Sequence, residues 1–222
     1  MATKSTTNAV LTHKVSQKDT ESFLKEKKSI SELLESYHAK LKKGGVSRKD
    51  RVDGLNEYSR QLLDAKIEGS GRLYHGMWFH SRGHLVAYVD ERENGKRTFS
   101  KRMYPTGESL VPRQVSLSAD RAVSEEFAKV HNGPDESLNI GVVFTFNARR
   151  VRYEHIMRVD NMIRALFEHP DAESFKFVDE QEVRVKGMDK DAIAKVEVYD
   201  EGRLILTFKS FPSAVELKKK LL

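Results

Sequence analysis

The residues best equipped for chemistry lie in Asp179-Glu180-Gln181-Glu182-Val183-Arg184-Val185, where two carboxylates one residue apart open a short apolar run. In an extended segment residues i and i+2 project to the same side, so this spacing predicts that Glu180 and Glu182 face one cleft. Two negative charges that close repel, a cost that a cationic ligand or a reaction developing positive charge would relieve. Taken alone, the pattern reads as an exposed acidic strand end. Two further segments favour chemistry. Leu73-Tyr74-His75-Gly76-Met77-Trp78-Phe79 has the texture of a strand carrying an imidazole, followed by a glycine where backbone can approach a ligand closely. Val115-Ser116-Leu117-Ser118-Ala119-Asp120 presents two hydroxyls where a strand runs into a helix.

In chain order, a strand with a basic residue, an S-x-S strand before a helix and a late E-x-E resemble the mono-ADP-ribosyltransferases, from Gly69 to the end. The likeness is greatest to the small phage and bacterial, arginine-modifying, cholera-toxin-like branch, whose triad is Arg, Ser and Glu. There the serine opens a S-T-S run and the final glutamate closes an E-x-E. Here Ser116-Leu117-Ser118, the helix from Ala122 to Ala128 with Phe127, the strand Val142 to Phe146, and Asp179 to Val183 follow in that order. His75 stands where that branch has arginine, and Leu73-Tyr74-His75-Gly76 is similar to the H-G of the diphtheria-toxin-like and poly-ADP-ribose branch. Arg72 is the alternative basic residue, three positions away and therefore on the opposite side of the strand from His75.

The resemblance implies an α+β, ADP-ribosyltransferase-like split β-sandwich with N-terminal helices, NAD as co-substrate and no metal. By the same resemblance Glu182 holds the ribose 2′-hydroxyl and stabilises positive charge at the anomeric carbon, and Ser116 orients Glu182. His75 bonds a ribose, the Gly76 backbone meets the nicotinamide amide, and Ser118 and Phe127 complete the NAD pocket. Glu180 accepts a proton from, or positions, an attacking guanidinium, and Phe175 or Phe177 stacks on nicotinamide or presents the acceptor. The acceptor so implied is arginine on a host or target protein. RNA or DNA bases are the alternative, and an inactive domain kept as a binding module is a third reading. A phage factor or toxin in the bacterial cytoplasm fits this, with an antitoxin or host target as partner.

Each residue also has a plainer reading. His75 alone is a half-buried strand histidine, Ser118 a helix N-cap, and Trp78 and Phe79 core. His80 and His84 have ligand-like spacing, but Arg82-Gly83 implies a turn and no third ligand accompanies them. No Gly-rich phosphate loop of the Rossmann or P-loop type occurs, in keeping with the ADP-ribosyltransferase way of holding NAD.

Composition sets outer bounds. With 222 residues and no cysteine, the chain is long enough for one domain with extensions and excludes disulfides and thiolate metal sites. No apolar run reaches the length of a membrane span, and Met1 to Ser5 is polar where a signal peptide is apolar, so a cytoplasmic location is expected. A net charge of +6 favours an acidic partner such as nucleic acid.

The elements that must position these groups read as follows. Residues 1–15 are expected to be disordered, 16–68 a basic helical segment and 69–222 the catalytic domain. Ile30, Leu33, Leu34, Tyr37 and Leu41 mark one amphipathic helix, and Val52, Leu55, Tyr58, Leu62 and Leu63, after a Ser47 cap, mark a second. Lys40, Lys42, Lys43, Arg48 and Lys49 load their outer faces, more simply as solvated surface than as a nucleic-acid footprint. His80 to Pro112 reads as a variable stretch with a turn at Glu91 to Lys96. A helix over Ala119 to His131 ends at Asn132-Gly133-Pro134, and a strand covers Ile140 to Phe146. A helix with Val159, Met162, Ile163, Leu166 and Phe167 inward ends near His169-Pro170. Strands at Val183 to Val185, Ala194 to Tyr199 and Leu204 to Phe208 follow, the last two a hairpin through Asp200-Glu201-Gly202.

Overall fold

The computed structural model describes residues 13–94, 115–129, 140–151, 153–155, 157–168, 175–185 and 189–222. Helices α1 (Gln17–Leu24), α2 (Ile30–Lys43) and α3 (Arg48–Ser70) precede the first strand, opened by Ser16, Ser29 and Ser47, whose hydroxyls accept the N–H of Asp19, Glu32 and Asp50. These caps satisfy donors that a helix leaves without internal partners. Helices α2 and α3 are the two expected from their stripes. Helix α1 was not, because in its eight residues only Phe23 is buried and one apolar residue makes no period. His13 and Val15, within the stretch expected to be disordered, hydrogen-bond Tyr37 and Gln61. Helix α3 ends where Gly71, at φ 62°, takes the left-handed conformation that turns the chain into β1.

Strands β1 (Arg72–Phe79), β2 (Val115–Ser118), β3 (Ile140–Asn147), β4 (Tyr153–His155), β5 (Glu182–Val185), β6 (Ile193–Asp200) and β7 (Arg203–Phe208) form one seven-stranded sheet in the order β4-β5-β2-β1-β3-β6-β7. Every pairing is antiparallel. Among the described residues the remaining α-helices are α4 (Arg82–Asn94), α5 (Arg121–Lys129), α6 (Met157–Glu168) and α7 (Ala214–Leu221). The architecture is α+β, as expected from the mixed texture of the sequence.

One feature of the pairing shapes the molecule. Strand β1 pairs with β3 along its whole length, from Arg72↔Asn147 to Phe79↔Ile140, but among the described residues meets β2 at a single rung, Tyr74↔Ser118. That rung joins β4-β5-β2 to β1-β3-β6-β7.

Alternation assigns the two faces. Leu73, Phe79, Leu117, Val142, Phe144, Phe146, Val183 and Val196 project to one side and share a single core with Leu33 and Leu34 of α2, Leu55, Leu62 and Leu63 of α3, Leu85 of α4, Ile163 of α6 and Leu217 of α7. Each such fully buried side chain contributes about 1.5–3 kcal/mol, so the helical segment is joined to the sheet by burial rather than by surface charge. The opposite side carries α5. There Trp78 pairs with Gly141, so Gly76 and Gly141 lie on one face. A Cβ on Gly76 would collide with the Ser124 carbonyl, and one on Gly141 with the Ala128 carbonyl. The two glycines are thus the floor across which α5 runs.

Two further helices depart from expectation. The His80 to Pro112 stretch begins with α4, which continues through Asn94, so residues 91–94 are helical rather than a turn. Leu85, Tyr88 and Val89 are spaced for one helical face and pack on the core, with Tyr88 against Phe79 at 5.2 Å. Helix α7 was unanticipated; Ser213 caps it and the Glu93 carboxylate accepts the Ala214 N–H at 2.9 Å. The 200–203 hairpin is as expected, with Glu201 and Gly202 at φ 47° and 73°. The terminators at 132–134 and 169–170 and the basic cluster of Lys96, Arg97, Lys101 and Arg102 lie outside the described residues.

Candidate functional site

Register places the central groups. Ser118 pairs with Glu182 and, on its other side, with Tyr74, so Tyr74, Ser118 and Glu182 make one transverse row on the face that carries α5. Ser118 and Glu182 are both 6% exposed. The Ser118 hydroxyl donates to the Glu180 carbonyl at 2.7 Å and accepts the Asp120 N–H at 2.9 Å. Glu182 lies 3.8 Å from the Arg184 guanidinium, two residues along β5. Ser116 is exposed and pairs with Arg184. The strand partner of Glu182 is therefore Ser118, while Ser116 stands further along the same face, opposite Arg184. Ser118 is not the cap of α5: the Asp120 carboxylate accepts the Ala122 N–H at 2.9 Å.

The E-x-E spacing works differently from the expectation. Lys176–Glu180 is a 3-10 turn, Gln181 is left-handed at φ 50°, and β5 starts only at Glu182. The two-residue alternation of a strand does not reach Glu180, so Glu180 and Glu182 do not share a strand face. Glu180 is half-buried, at the end of the turn. Asp179 accepts from both the N–H and the hydroxyl of Ser31, at 3.0 and 2.7 Å.

His75 projects from the other face of the sheet. It is the register partner of Phe144, on which its ring stacks with centroids 6.3 Å apart. Its Nδ1 lies 2.8 Å from the Ser116 carbonyl of β2. A carbonyl only accepts, so Nδ1 carries the proton and donates it. Burial pushes the imidazole down to about 4, with the hydrogen bond to Ser116 opposing and the Arg92 charge assisting. His75 is therefore neutral at physiological pH, and its Nε2 is left as a lone-pair acceptor. The structure brings Ser118 and Glu182 together and places the His75 ring across the sheet from them. Arg72 is exposed and lies on the face of Tyr74, which is also the face of Glu182.

The α5 side of Gly76 is filled by Ser124 and by Phe127, whose Cβ would lie 3.0 Å from an added one. Helix packing, not the approach of a ligand to that face, requires glycine there.

Helix α5 is fixed over β1 by charge. Arg121 meets Glu125 at 2.7 Å and the buried Glu197 at 3.0 Å, Lys195 meets Glu197 at 3.1 Å, and Lys129 lies 5.4 Å above the Tyr199 ring. Phe127 remains 55% exposed on this helix, as a ring available beside Gly76. Phe175, by contrast, is buried in the core with its ring 5.9 Å from His38 and does not reach the site, and the side chain of Phe177 lies outside what is described. Trp78 is half-buried against His80 and Phe79 is core. Among the described residues no group of three potential metal ligands assembles.

Tyr74 and Gln181 were not singled out from sequence. Both lie directly beside residues that were, and the one usable signal for Tyr74 was its opposite parity to His75. No protein-family model matches this chain, and no curated protein matches it either.

Proposed function

We propose that this chain is an NAD-dependent mono-ADP-ribosyltransferase that transfers ADP-ribose to arginine side chains of a protein and releases nicotinamide. The observation that carries the reading is the pairing of Glu182 with Ser118 on one rung, with Tyr74, from the strand that carries His75 and Gly76, on the other side of Ser118. These are the three segments whose residue types resemble that family.

In the proposed reaction the bond from the ribose anomeric carbon to the nicotinamide nitrogen breaks, and the electron pair leaves with nicotinamide. The sugar acquires oxocarbenium character, and the Glu182 carboxylate favours that charge more than the uncharged ground state. A guanidinium nitrogen of the acceptor then bonds to the anomeric carbon and gives up a proton, which by the resemblance Glu180 accepts. The Nε2 of His75 is suited to accept from a hydroxyl. Ser118 takes the supporting part beside Glu182 that Ser116 was expected to play.

Incubation with labelled NAD and a cell lysate, treated separately with protease and with nuclease, tests the reading. Protease-sensitive label supports it, nuclease-sensitive label moves the acceptor to an RNA or DNA base, and no label leaves a binding module. In Glu182→Gln, transfer and NAD hydrolysis are both expected to fall by roughly two to three orders of magnitude, the scale of one preorganised electrostatic contact. Undiminished transfer would falsify the role given to Glu182.

A further inference from the structure

The segment leading into Glu182 is held by a different group at each residue. The Asp179 carboxylate accepts the Ser31 N–H and hydroxyl at 3.0 and 2.7 Å. The Glu180 carbonyl accepts the Ser118 hydroxyl at 2.7 Å. The Gln181 carbonyl accepts the Ala119 N–H at 3.1 Å, and its side-chain amide donates to Asp120 at 3.4 Å. Glu182 then enters the β2 register opposite Ser118. Asp120 in turn lies 3.8 Å from the Lys66 ammonium of α3. Two of these ties come from helices that precede the sheet.

The Ser31–Asp179 tie is stronger than the survival of α2 requires. Helix α2 already has a complete capping box between Ser29 and Glu32, and it buries Ile30, Leu33, Leu34 and Leu41. Ser31 is 5% exposed and offers the carboxylate two hydrogen bonds from the first turn, where the helix dipole favours negative charge. What the bond restrains is the other partner. Two residues on, Gln181 holds a left-handed backbone that a non-glycine residue adopts only when its surroundings enforce it.

We infer that α2, acting through Ser31 and Asp179, sets the position of Glu182, so that the N-terminal helices are part of the site's apparatus and Ser31 and Asp179 are positioning residues. The catalytic half of this inference rests on the function proposed above; the mechanical half does not.

The experiment compares the full chain with Ser31→Ala, Ser31→Thr and Asp179→Asn by amide hydrogen exchange, thermal melting, and kcat and KM for NAD hydrolysis. In Ser31→Ala and Asp179→Asn the amides of residues 180–184 are expected to exchange about tenfold faster, while the 193–208 hairpin is unchanged. A displaced carboxylate lowers kcat by roughly ten- to a hundredfold with KM for NAD within about twofold, since misplacement costs rate more than binding. Ser31→Thr, which keeps the hydroxyl, restores both. Unchanged exchange at 180–184, or a lowered melting temperature with wild-type kcat, overturns the inference and leaves a plain tether. If the wild-type chain does not consume NAD, the enzymatic reading fails, and the exchange comparison still decides whether α2 restrains the segment. Should Asp179→Asn not fold, the Ser31 pair carries the same comparison.

Discussion

Two neighbouring serines with the same side-chain parity have different work in this protein. Ser118 is buried between Tyr74 and Glu182 and bonds the Glu180 carbonyl, whereas Ser116 is exposed and lends only its backbone carbonyl, to His75. Ser118→Ala leaves a buried carbonyl without its donor, at a cost of about 1–3 kcal/mol, and is expected to lower both melting temperature and NAD hydrolysis. Ser116→Ala should do neither. The reverse pattern would return the supporting role to Ser116. His75 yields a prediction in pH. Its folded pKa lies at about 4 against 6.5 for a free imidazole, so between those values the unfolded chain binds more protons. This contribution to stability is present above pH 6.5 and is lost as pH falls through about 4. Denaturant titrations of the wild type and His75→Gln across that window should therefore converge on acidification; parallel curves would show that the ring is not held neutral.

At the scale of elements, α5 is held by what its floor lacks. It crosses Gly76 and Gly141 with its own carbonyls where their Cβ atoms would be, and Arg121 and Lys129 fasten it to β6. Gly141→Ala forces backbone against backbone, so a loss of about 1–3 kcal/mol, the usual cost of overpacking, is expected in chemical denaturation. Gly69→Ala makes the opposite case. It lies in α3 with nothing within 4 Å of an added Cβ, and should stabilise by about 0.4–1 kcal/mol. If both substitutions had the same sign, the packing of α5 would not be what requires glycine at 141. The E-x-E is likewise a matter of elements. An acidic pair reads as one strand face only if the strand includes both residues, and here a 3-10 turn ends between them.

For the whole molecule, the helical segment and the sheet share one core, which assigns the basic residues of α2 and α3 to the solvent side. Lys40, Lys42, Lys43, Arg48 and Lys49 are all exposed, while Leu34 is fully buried. Replacing the five by glutamine is expected to leave NAD hydrolysis and its salt response unchanged, whereas Leu34→Asp should unfold the segment, since an unpaired charge in an apolar core is among the costliest substitutions. A steep salt dependence of nucleic-acid binding that disappears in the glutamine variant would instead make those residues phosphate contacts. Much of this architecture could be read along the chain. Long apolar stripes such as Ile30 to Leu41, the run Ile140 to Phe146 and the turn at Glu201-Gly202 declare helix, buried strand and hairpin because periodicity and turn chemistry are local properties. A short element such as α1, with one buried residue, carries no such period, whereas the i, i+3, i+7 spacing of Ala214, Leu217 and Leu221 in α7 was a signal left unread. The site divides the same way. Residue types and order were enough to propose His75, Ser116, Ser118, Glu180 and Glu182 as candidates, because the chemistry of a side chain does not depend on the fold. Which serine stands opposite Glu182, that His75 lies across the sheet, that Glu180 is off the strand and that Asp179 is bonded to α2 were decided by register, by a left-handed residue at 181 and by a contact spanning 148 positions, none of which is a property of local sequence.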